Sequence, residues 1–173
     1  MRSRLFLLLL AAAAVICPGT LLVAAPALAQ SAGSSMPSLA LQGLLKHPQS
    51  IDLAALRRLP SETVRVQYET EHGDVVNATF TGVRLWTLLQ AAGGLADDAR
   101  GADVRHMIRV TAGDAYVAVL STGEIAPDFG AKPALIAYQR DGALLAGKGY
   151  YLVMPGDKRD SRYVSDVVSI NVE

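Results

Sequence analysis

Apolar and polar residues alternate over much of the chain, and this period of two is typical of β-strands that bury one face. It is clear in Val64–Tyr68 and in Val76–Phe80, which a glycine-containing turn at 71–74 separates, so the two runs predict a hairpin. A second hairpin turn is indicated by Asp141-Gly142, the residue pair that suits a type I′ turn. Further strands are predicted at Leu39–Leu41, Met107–Thr111, Tyr116–Val119, Ala134–Tyr138, Tyr150–Met154 and Val164–Val172.

Three short segments change to helical spacing. The longest is Val83–Ala92, in which leucines recur on one stripe before a Gly-Gly pair ends the helix. Asp52 caps a turn at Leu53–Arg58, and Ser121 followed three residues later by Glu124 indicates a capping box that opens one further turn. Strands dominate, and no internal repeat is present. The pattern therefore predicts one α+β domain with a mostly antiparallel or mixed sheet and short helices.

The N-terminus is typical of an export signal. Arg2 and Arg4 form a charged start, Leu5–Cys17 is an apolar run, and Ala27–Ala29 provides the small residues of a cleavage site. Cleavage is expected before Gln30. The signal peptide is then residues 1–29, which predicts a mature protein in the periplasm.

Two interpretations of this N-terminal region remain open. An uncleaved membrane anchor is the alternative to a signal, because residues 5–29 carry no charge, although Pro18 and Gly19 interrupt them.

After the signal, residues 30–37 are rich in Ser, Gly and Ala and predict a flexible tether. The folded domain is expected over residues 38–173.

Charge and cysteine content exclude several function classes. The chain has 16 basic and 16 acidic residues without a basic stripe, so it lacks the charge pattern of a nucleic-acid-binding protein. Its one cysteine, Cys17, leaves with the signal, which excludes a disulfide, a cysteine nucleophile and a thiolate-bound metal. His47, His72 and His106 stand alone without the spacing of metal ligands. We therefore predict no metal site.

One loop combines several groups that could hold a ligand. Between two apolar strands, Met154–Tyr163 contains three cations, two carboxylates and a glycine. Gly156 can expose backbone N–H groups, and Lys158, Arg159 and Arg162 can donate to an anion or a polar heterocycle. The alternative is a solvated turn whose charges pair with each other.

Six segments, taken in order, carry a family resemblance that none of them carries alone. They are Phe80-Thr-Gly-Val-Arg-Leu-Trp-Thr-Leu-Leu, Asp114-Ala-Tyr-Val-Ala-Val, Ala134-Leu-Ile-Ala-Tyr, Arg140-Asp-Gly, Leu152-Val-Met-Pro-Gly and Arg162-Tyr-Val. Together they resemble the oxidoreductase molybdopterin-binding domain, which has the sulfite-oxidase-like fold. The resemblance covers residues 38–173 and implies an α+β fold with a mixed sheet.

The chain departs from that family at one informative position. In catalytic members, a cysteine at the end of the strand equivalent to Val64–Tyr68 binds molybdenum, whereas this stretch reads Val-Arg-Val-Gln-Tyr-Glu. The family's sulfite-oxidising chemistry is therefore not expected, and we assign no catalytic residue. The chain looks like short, exported, cysteine-less relatives, which implies a bound free pterin, expected to be a reduced one. Some such relatives are ligand-sensing partners of membrane-bound cyclic-dinucleotide signalling proteins.

A pterin needs a flat group against its ring, an acceptor for its amino–N3 edge and a donor for its carbonyl oxygen. Tyr116, which the resemblance places facing the cofactor, and Trp86 offer rings; the alternative for each is an ordinary packing residue, and for Trp86 packing is the favoured interpretation. Asp157 offers the acceptor. The candidate donors are Arg84, Lys158, Arg159 and Arg162, with the backbone of Gly156.

Three function classes follow from the sequence. The first is a periplasmic pterin-binding protein that senses its ligand for a membrane signalling protein. The second is a molybdopterin-dependent oxidoreductase, or its non-catalytic subunit, with the molybdenum cofactor. The third is a structural or protein-binding domain with a vestigial pocket.

Overall fold

The computed structural model describes residues 36–173, and within them lie ten β-strands, three α-helices and two 3-10 turns. The strands are β1 (Leu39–Gly43), β2 (Gln49–Ile51), β3 (Ser61–Glu69), β4 (Val75–Arg84), β5 (Met107–Ala112), β6 (Val117–Ser121), β7 (Leu135–Arg140), β8 (Ala143–Leu144), β9 (Tyr150–Val153) and β10 (Val164–Val172). The helices are α1 (Leu53–Leu56), α2 (Leu85–Ala91) and α3 (Thr122–Ile125), and the 3-10 turns are Ala102–Val104 and Asp160–Arg162. The predicted signal peptide and most of the predicted tether lie outside the described residues. In the described part, no helix combines the length and the apolar character needed to cross a membrane.

The strands form one mixed sheet, which confirms the predicted fold class. The main path runs β2-β1-β10-β9-β7-β4-β3, with β5 and β6 joined through β10 and with β8 paired to β7. The β1–β10 pair is parallel, and the other strand pairs are antiparallel. Strand β10 therefore holds both sides of the sheet together, since it pairs with β1, β5 and β9.

The core lies on both faces of the central strands. Residues Leu135–Tyr138 of β7 are all buried, and alternate side chains enter two different clusters. The larger cluster includes α2, and the smaller one is formed by the β3–β4 hairpin, in which Phe80 is fully buried. Met36, at the end of the predicted tether, is also buried in the larger cluster. A near-continuous apolar run such as Ala134–Tyr138 is what burial on both faces requires.

The predicted helix at Val83–Ala92 begins later than its apolar spacing suggests. Val83 and Arg84 are still strand residues, because β4 pairs with β7 as far as Arg84 opposite Leu135. A register shift between Thr81 and Gly82 accompanies this pairing. The helix prediction was therefore wrong for its first two residues, where strand pairing outweighs helical periodicity.

Simple alternation in β10 would place Val168 on the same face as Ile170 and Val172. Instead, Asp166 has a φ of 52° and the register shifts on either side of Val167. Val167 is fully buried and Val168 is only partly buried. A β-bulge of this kind adds one residue to a strand and exchanges the two faces beyond it.

Both predicted helix caps are present. The Asp52 side chain accepts from the Ala55 backbone N–H at 2.7 Å, and the Ser121 hydroxyl accepts from that of Gly123 at 3.2 Å. Glu124 does not complete a capping box, because its carboxylate binds Arg162. The turn at Asp141-Gly142 has positive φ at both residues, as a type I′ turn requires.

Candidate functional site

One cavity among the described residues has a volume of about 500 Å³. One wall is the β5–β6 turn and the other is the segment that leads into β10, while the β3–β4 turn contributes one residue. The lining residues are Glu71, Ala112, Asp114, Tyr116, Asp160, Ser161, Tyr163, Val164 and Ser165. We call this cavity the acidic cleft. Its volume is in the usual range for a small-molecule site.

Hydrogen bonds hold the two walls of the acidic cleft together. The Tyr116 hydroxyl donates to the Ser161 carbonyl oxygen at 2.7 Å, although the Tyr116 residue remains 49% exposed. The Asp114 carboxylate accepts from the Tyr116 backbone N–H at 2.9 Å. Gly113 donates to the Asp166 carbonyl oxygen at 2.9 Å, which joins the β5–β6 turn to the bulge in β10. The position of Tyr116 is thus set by both walls.

The charged residues that line this cleft are all acidic. Glu71, Asp114 and Asp160 supply three carboxylates, and none of the nine lining residues is Lys or Arg. Within residues 36–173, no three His, Cys, Asp or Glu side chains are grouped as metal ligands, so these carboxylates are not arranged as a cation cage. The cleft is therefore rich in hydrogen-bond acceptors.

Tyr116 and Tyr163 give the acidic cleft its aromatic surface. Tyr163 stacks on Tyr68 with ring centroids 4.2 Å apart and an interplanar angle of 28°. Its hydroxyl is buried without a hydrogen-bond partner. Burial raises the pKa of Tyr163 to about 12, and the charges of Asp157 and Tyr68 act in the same direction. The Tyr163 hydroxyl is therefore neutral at physiological pH, and its ring is fixed by the stack.

Arg162, which lies between the cleft residues Ser161 and Tyr163, belongs to a network of four charged side chains. Arg162 donates to Asp157 twice, through Nε at 2.7 Å and Nη2 at 2.9 Å, and also to Glu124 through Nη1 at 3.0 Å. Lys132 donates to Asp157 and lies 3.5 Å from Glu124. Two cations and two carboxylates therefore neutralise each other, with side-chain exposures of 15–32%. We call these four residues the charge network.

The charge network agrees with the second interpretation of the loop, in which its charges pair with each other. The Arg162 guanidinium binds Asp157 of the same loop and also Glu124. Burial alone would raise the pKa of Asp157, but hydrogen bonds from Arg162 and Lys132 outweigh it and hold the pKa below its usual range. Asp157 thus remains a carboxylate that is already saturated with donors.

A dependence of stability on pH follows from this depressed pKa. A carboxyl group whose pKa is lower in the folded state stabilises the fold above its unfolded pKa, which is about 4. That contribution is lost as the pH falls through the folded pKa of Asp157. We expect urea unfolding to show a clear difference between the wild type and Asp157→Asn at pH 7, which narrows below about pH 4. If the difference in unfolding free energy between the two proteins stayed constant from pH 7 to below about pH 4, the depressed pKa of Asp157 would be contradicted.

Arg84 and Trp86 line a second and smaller cavity of about 120 Å³. Lys132 of the charge network also lines it. Arg84 is paired with Glu62 through Nε at 2.6 Å, and Trp86 packs partly buried against the core. These two predicted site residues therefore do not share a cavity with Tyr116, and the smaller cavity has too little volume for a bicyclic ring with substituents.

The remaining predicted residues of the loop are also dispersed. Arg159 pairs with Glu69 at 3.2 Å on the β3 side. Lys158 lines a third, open cavity of about 370 Å³ together with Tyr68. Gly156 has a φ of 90°, a backbone conformation that favours glycine, so the turn after β9 accounts for a glycine at this position. Of the eight predicted site residues, only Tyr116 lines the acidic cleft.

Sequence reasoning missed most of the residues that form the acidic cleft. Glu71 was interpreted only as part of a hairpin turn, and Asp160 and Ser161 only as members of a charged loop. Asp114 stood within a quoted segment but was given no role. Residues 71 and 160 belong to connections far apart in the chain, so no local pattern could show that they share a cavity. The charged loop itself was the available signal, since its residues 160 and 161 line the cleft.

The mixed sheet with few short helices is a sulfite-oxidase-like molybdopterin-binding fold. Residues 35–151 match the oxidoreductase molybdopterin binding domain, and the chain belongs to this family. The crystal structure of the sulfane dehydrogenase SoxCD from Paracoccus pantotrophus shares the fold, with a TM-score of 0.63 and 19% identity. The match covers 79% of this chain but only 38% of that chain. No curated protein sequence matches.

The family implies a pterin-type cofactor, which can be tested against the residues of the acidic cleft. Its acceptors and tyrosine rings suit a pterin ring, whose amino–N3 edge donates hydrogen bonds. They do not suit the complete molybdenum cofactor, whose phosphate and dithiolene groups are anionic and would face carboxylates. Strand β3 ends in Tyr68 and Glu69, and neither residue offers a thiolate. The residues present therefore fit the organic ring and not the metal-bearing group.

Proposed function

We propose that the mature protein binds a free, reduced pterin in the periplasm and carries out no molybdenum redox chemistry. The observation that supports this most directly is the acidic cleft, which combines tyrosine rings with an excess of hydrogen-bond acceptors in a domain of a pterin-cofactor family. The predicted signal peptide and the missing thiolate support the location and the absence of metal chemistry. Following the resemblance to short exported relatives, we propose a sensing role for a membrane-bound cyclic-dinucleotide signalling protein.

In this proposal, the chain's own residues bind and orient the ring. The Tyr116 ring provides a flat contact, and its bond to Ser161 keeps it in place. The carboxylates of Glu71, Asp114 and Asp160 are available to accept from the amino group and N3–H of the pterin. Tyr163 adds apolar surface on the opposite wall. Because the walls are hydrogen-bonded to each other before binding, little ordering is required when the ligand enters.

The composition of the protein purified from its native periplasm tests the proposal. We expect a first residue of Gln30, a pterin among the small molecules that denaturation releases, and molybdenum far below one atom per chain. Stoichiometric molybdenum with the released cofactor would favour the alternative function, a molybdopterin-dependent oxidoreductase. The family match is the observation that supports this alternative. Crosslinking in the periplasm, with and without added 7,8-dihydroneopterin, tests whether the protein contacts a membrane-bound signalling protein and whether the pterin changes that contact.

Binding by the acidic cleft can be tested with one variant and one matched control. We expect Tyr116→Ala to weaken the binding of 7,8-dihydroneopterin about tenfold, because the variant loses one ring contact. Phe129→Ala is the control, since Phe129 is a similarly exposed aromatic residue (56%) that does not line the cleft. Calorimetric titration measures both affinities. Equal affinities in the two variants would place the ligand elsewhere.

A further inference from the structure

The charged groups in the lining of the acidic cleft all carry the same sign. Glu71, Asp114 and Asp160 supply three carboxylates to its lining. A ligand in the cleft thus meets three negative charges. Neutralisation would have to come from cations close to the cleft.

Two of the three loop cations, Arg159 and Arg162, are already paired with carboxylates outside the cleft. Arg162 is adjacent to the cleft in sequence, but it belongs to the charge network, whose two cations and two carboxylates cancel. Arg159 is neutralised by Glu69. Lys158, for which no ion pair is found within residues 36–173, lines a different cavity. Within residues 36–173, none of these three loop cations pairs with Glu71, Asp114 or Asp160, so the loop leaves the negative charge of the cleft uncompensated.

We propose that this uncompensated charge makes the acidic cleft selective for pterins without an anionic substituent. A phosphate placed in the cleft would be repelled by three carboxylates and would find no guanidinium or ammonium group in its lining. An uncharged pterin instead presents donors to the same oxygens, as charge-assisted hydrogen bonds require. The inference rests on the proposed function and adds the class of ligand: dephosphorylated pterins, with phosphopterins and complete molybdopterin excluded.

Two ligands that differ only in a phosphate provide the test. We expect the wild-type protein to bind 7,8-dihydroneopterin at least tenfold more tightly than 7,8-dihydroneopterin 3′-phosphate in a low-salt buffer at pH 7. Raising the salt concentration should reduce this ratio, because the Debye length shortens from about 30 Å at 0.01 M to about 3 Å at 1 M. Calorimetric titration of both ligands at both salt concentrations gives the four affinities.

A charge-neutralised variant separates electrostatic selection from shape. In the triple variant Glu71→Gln, Asp114→Asn, Asp160→Asn, each side chain keeps its size and one acceptor oxygen but loses its charge. We expect this variant to bind the phosphate form more tightly than the wild type does. The ratio of the affinities for 7,8-dihydroneopterin and its 3′-phosphate then comes close to one. Asp98→Asn is the control, because Asp98 is a carboxylate paired with Lys46 outside the cleft, and it should leave the ratio unchanged. Circular dichroism verifies that each variant is folded.

The outcomes distinguish this inference from the proposed function. If the wild type binds both ligands equally, charge selection is refuted while pterin binding stands. A discrimination that survives in the triple variant also refutes it, because the cause would then be steric. If the wild type binds neither ligand, the proposed function fails, and the inference fails with it.

Discussion

Replacing Asp157 with alanine is expected to lower the free energy of unfolding by about 2–4 kcal/mol. Asp157 accepts from Arg162 and Lys132, and its side chain is only 15% exposed. Its removal leaves two cations without their main partner in a region with limited access to water. Glu124 remains, but a single carboxylate cannot replace the bidentate contact to Arg162. Thermal and urea unfolding measure the loss, which corresponds to a fall in Tm of roughly 10 °C.

A surface pair in the same protein provides the matched control for this prediction. Lys46 and Asp98 are 2.9 Å apart, but their side chains are 46% and 88% exposed. We expect Asp98→Ala to change stability by less than about 0.5 kcal/mol, since exposed ion pairs contribute little. If Asp157→Ala were as mild as Asp98→Ala, the charge network would be an ordinary surface cluster and would not stabilise the loop.

Replacing Gly82 with alanine is expected to cost about 3 kcal/mol or more, although only a methyl group is added. A Cβ at this position would meet the carbonyl oxygen of Ile136 and the Cα of Ala137, both of which are backbone atoms of β7. Backbone cannot move aside as a flexible side chain can, so the β4–β7 pairing must shift. Urea unfolding and hydrogen exchange in β7 measure the effect.

The neighbouring residue serves as the control for Gly82. Thr81→Ala removes one hydroxyl, which lies 2.9 Å from the Thr63 hydroxyl at an exposed position. We expect a loss of about 0.5–1 kcal/mol, as for a single hydrogen bond. A Gly82→Ala variant with wild-type stability would contradict this prediction. It would show that β4 and β7 can move apart locally to admit a methyl group.

The charge network also changes how the predicted loop should be interpreted. Arg162 and Asp157 were predicted to contact the ligand, whereas their side chains bind each other, and Arg162 also binds Glu124. Arg162 lies between Ser161 and Tyr163, which line the acidic cleft, and Asp157 belongs to the same loop. Their described contacts therefore stabilise a wall of the cleft. Direct contact with a ligand stays a prediction for them.

Local elements could be predicted because their causes are local. Period two identified β3 and β4, and Asp52 capped α1, since each signal depends on residues within one turn or one strand. The start of α2 could not be predicted in this way. Apolar spacing is compatible with helix at Val83 and Arg84, and only their pairing with β7 makes them strand.

The amino-acid sequence by itself determined the fold class, most strands and turns, the absence of a thiol from residues 30–173 and the family resemblance. These depend on residue type and short-range order, which the chain carries before it folds. Only the tertiary structure decided which charges meet. Arg162 lies 38 positions from Glu124, and Lys132 lies 25 positions from Asp157, yet the fold joins all four. Because the electrostatics of a cleft depends on distance in space, its acidic character became visible only once the chain was folded.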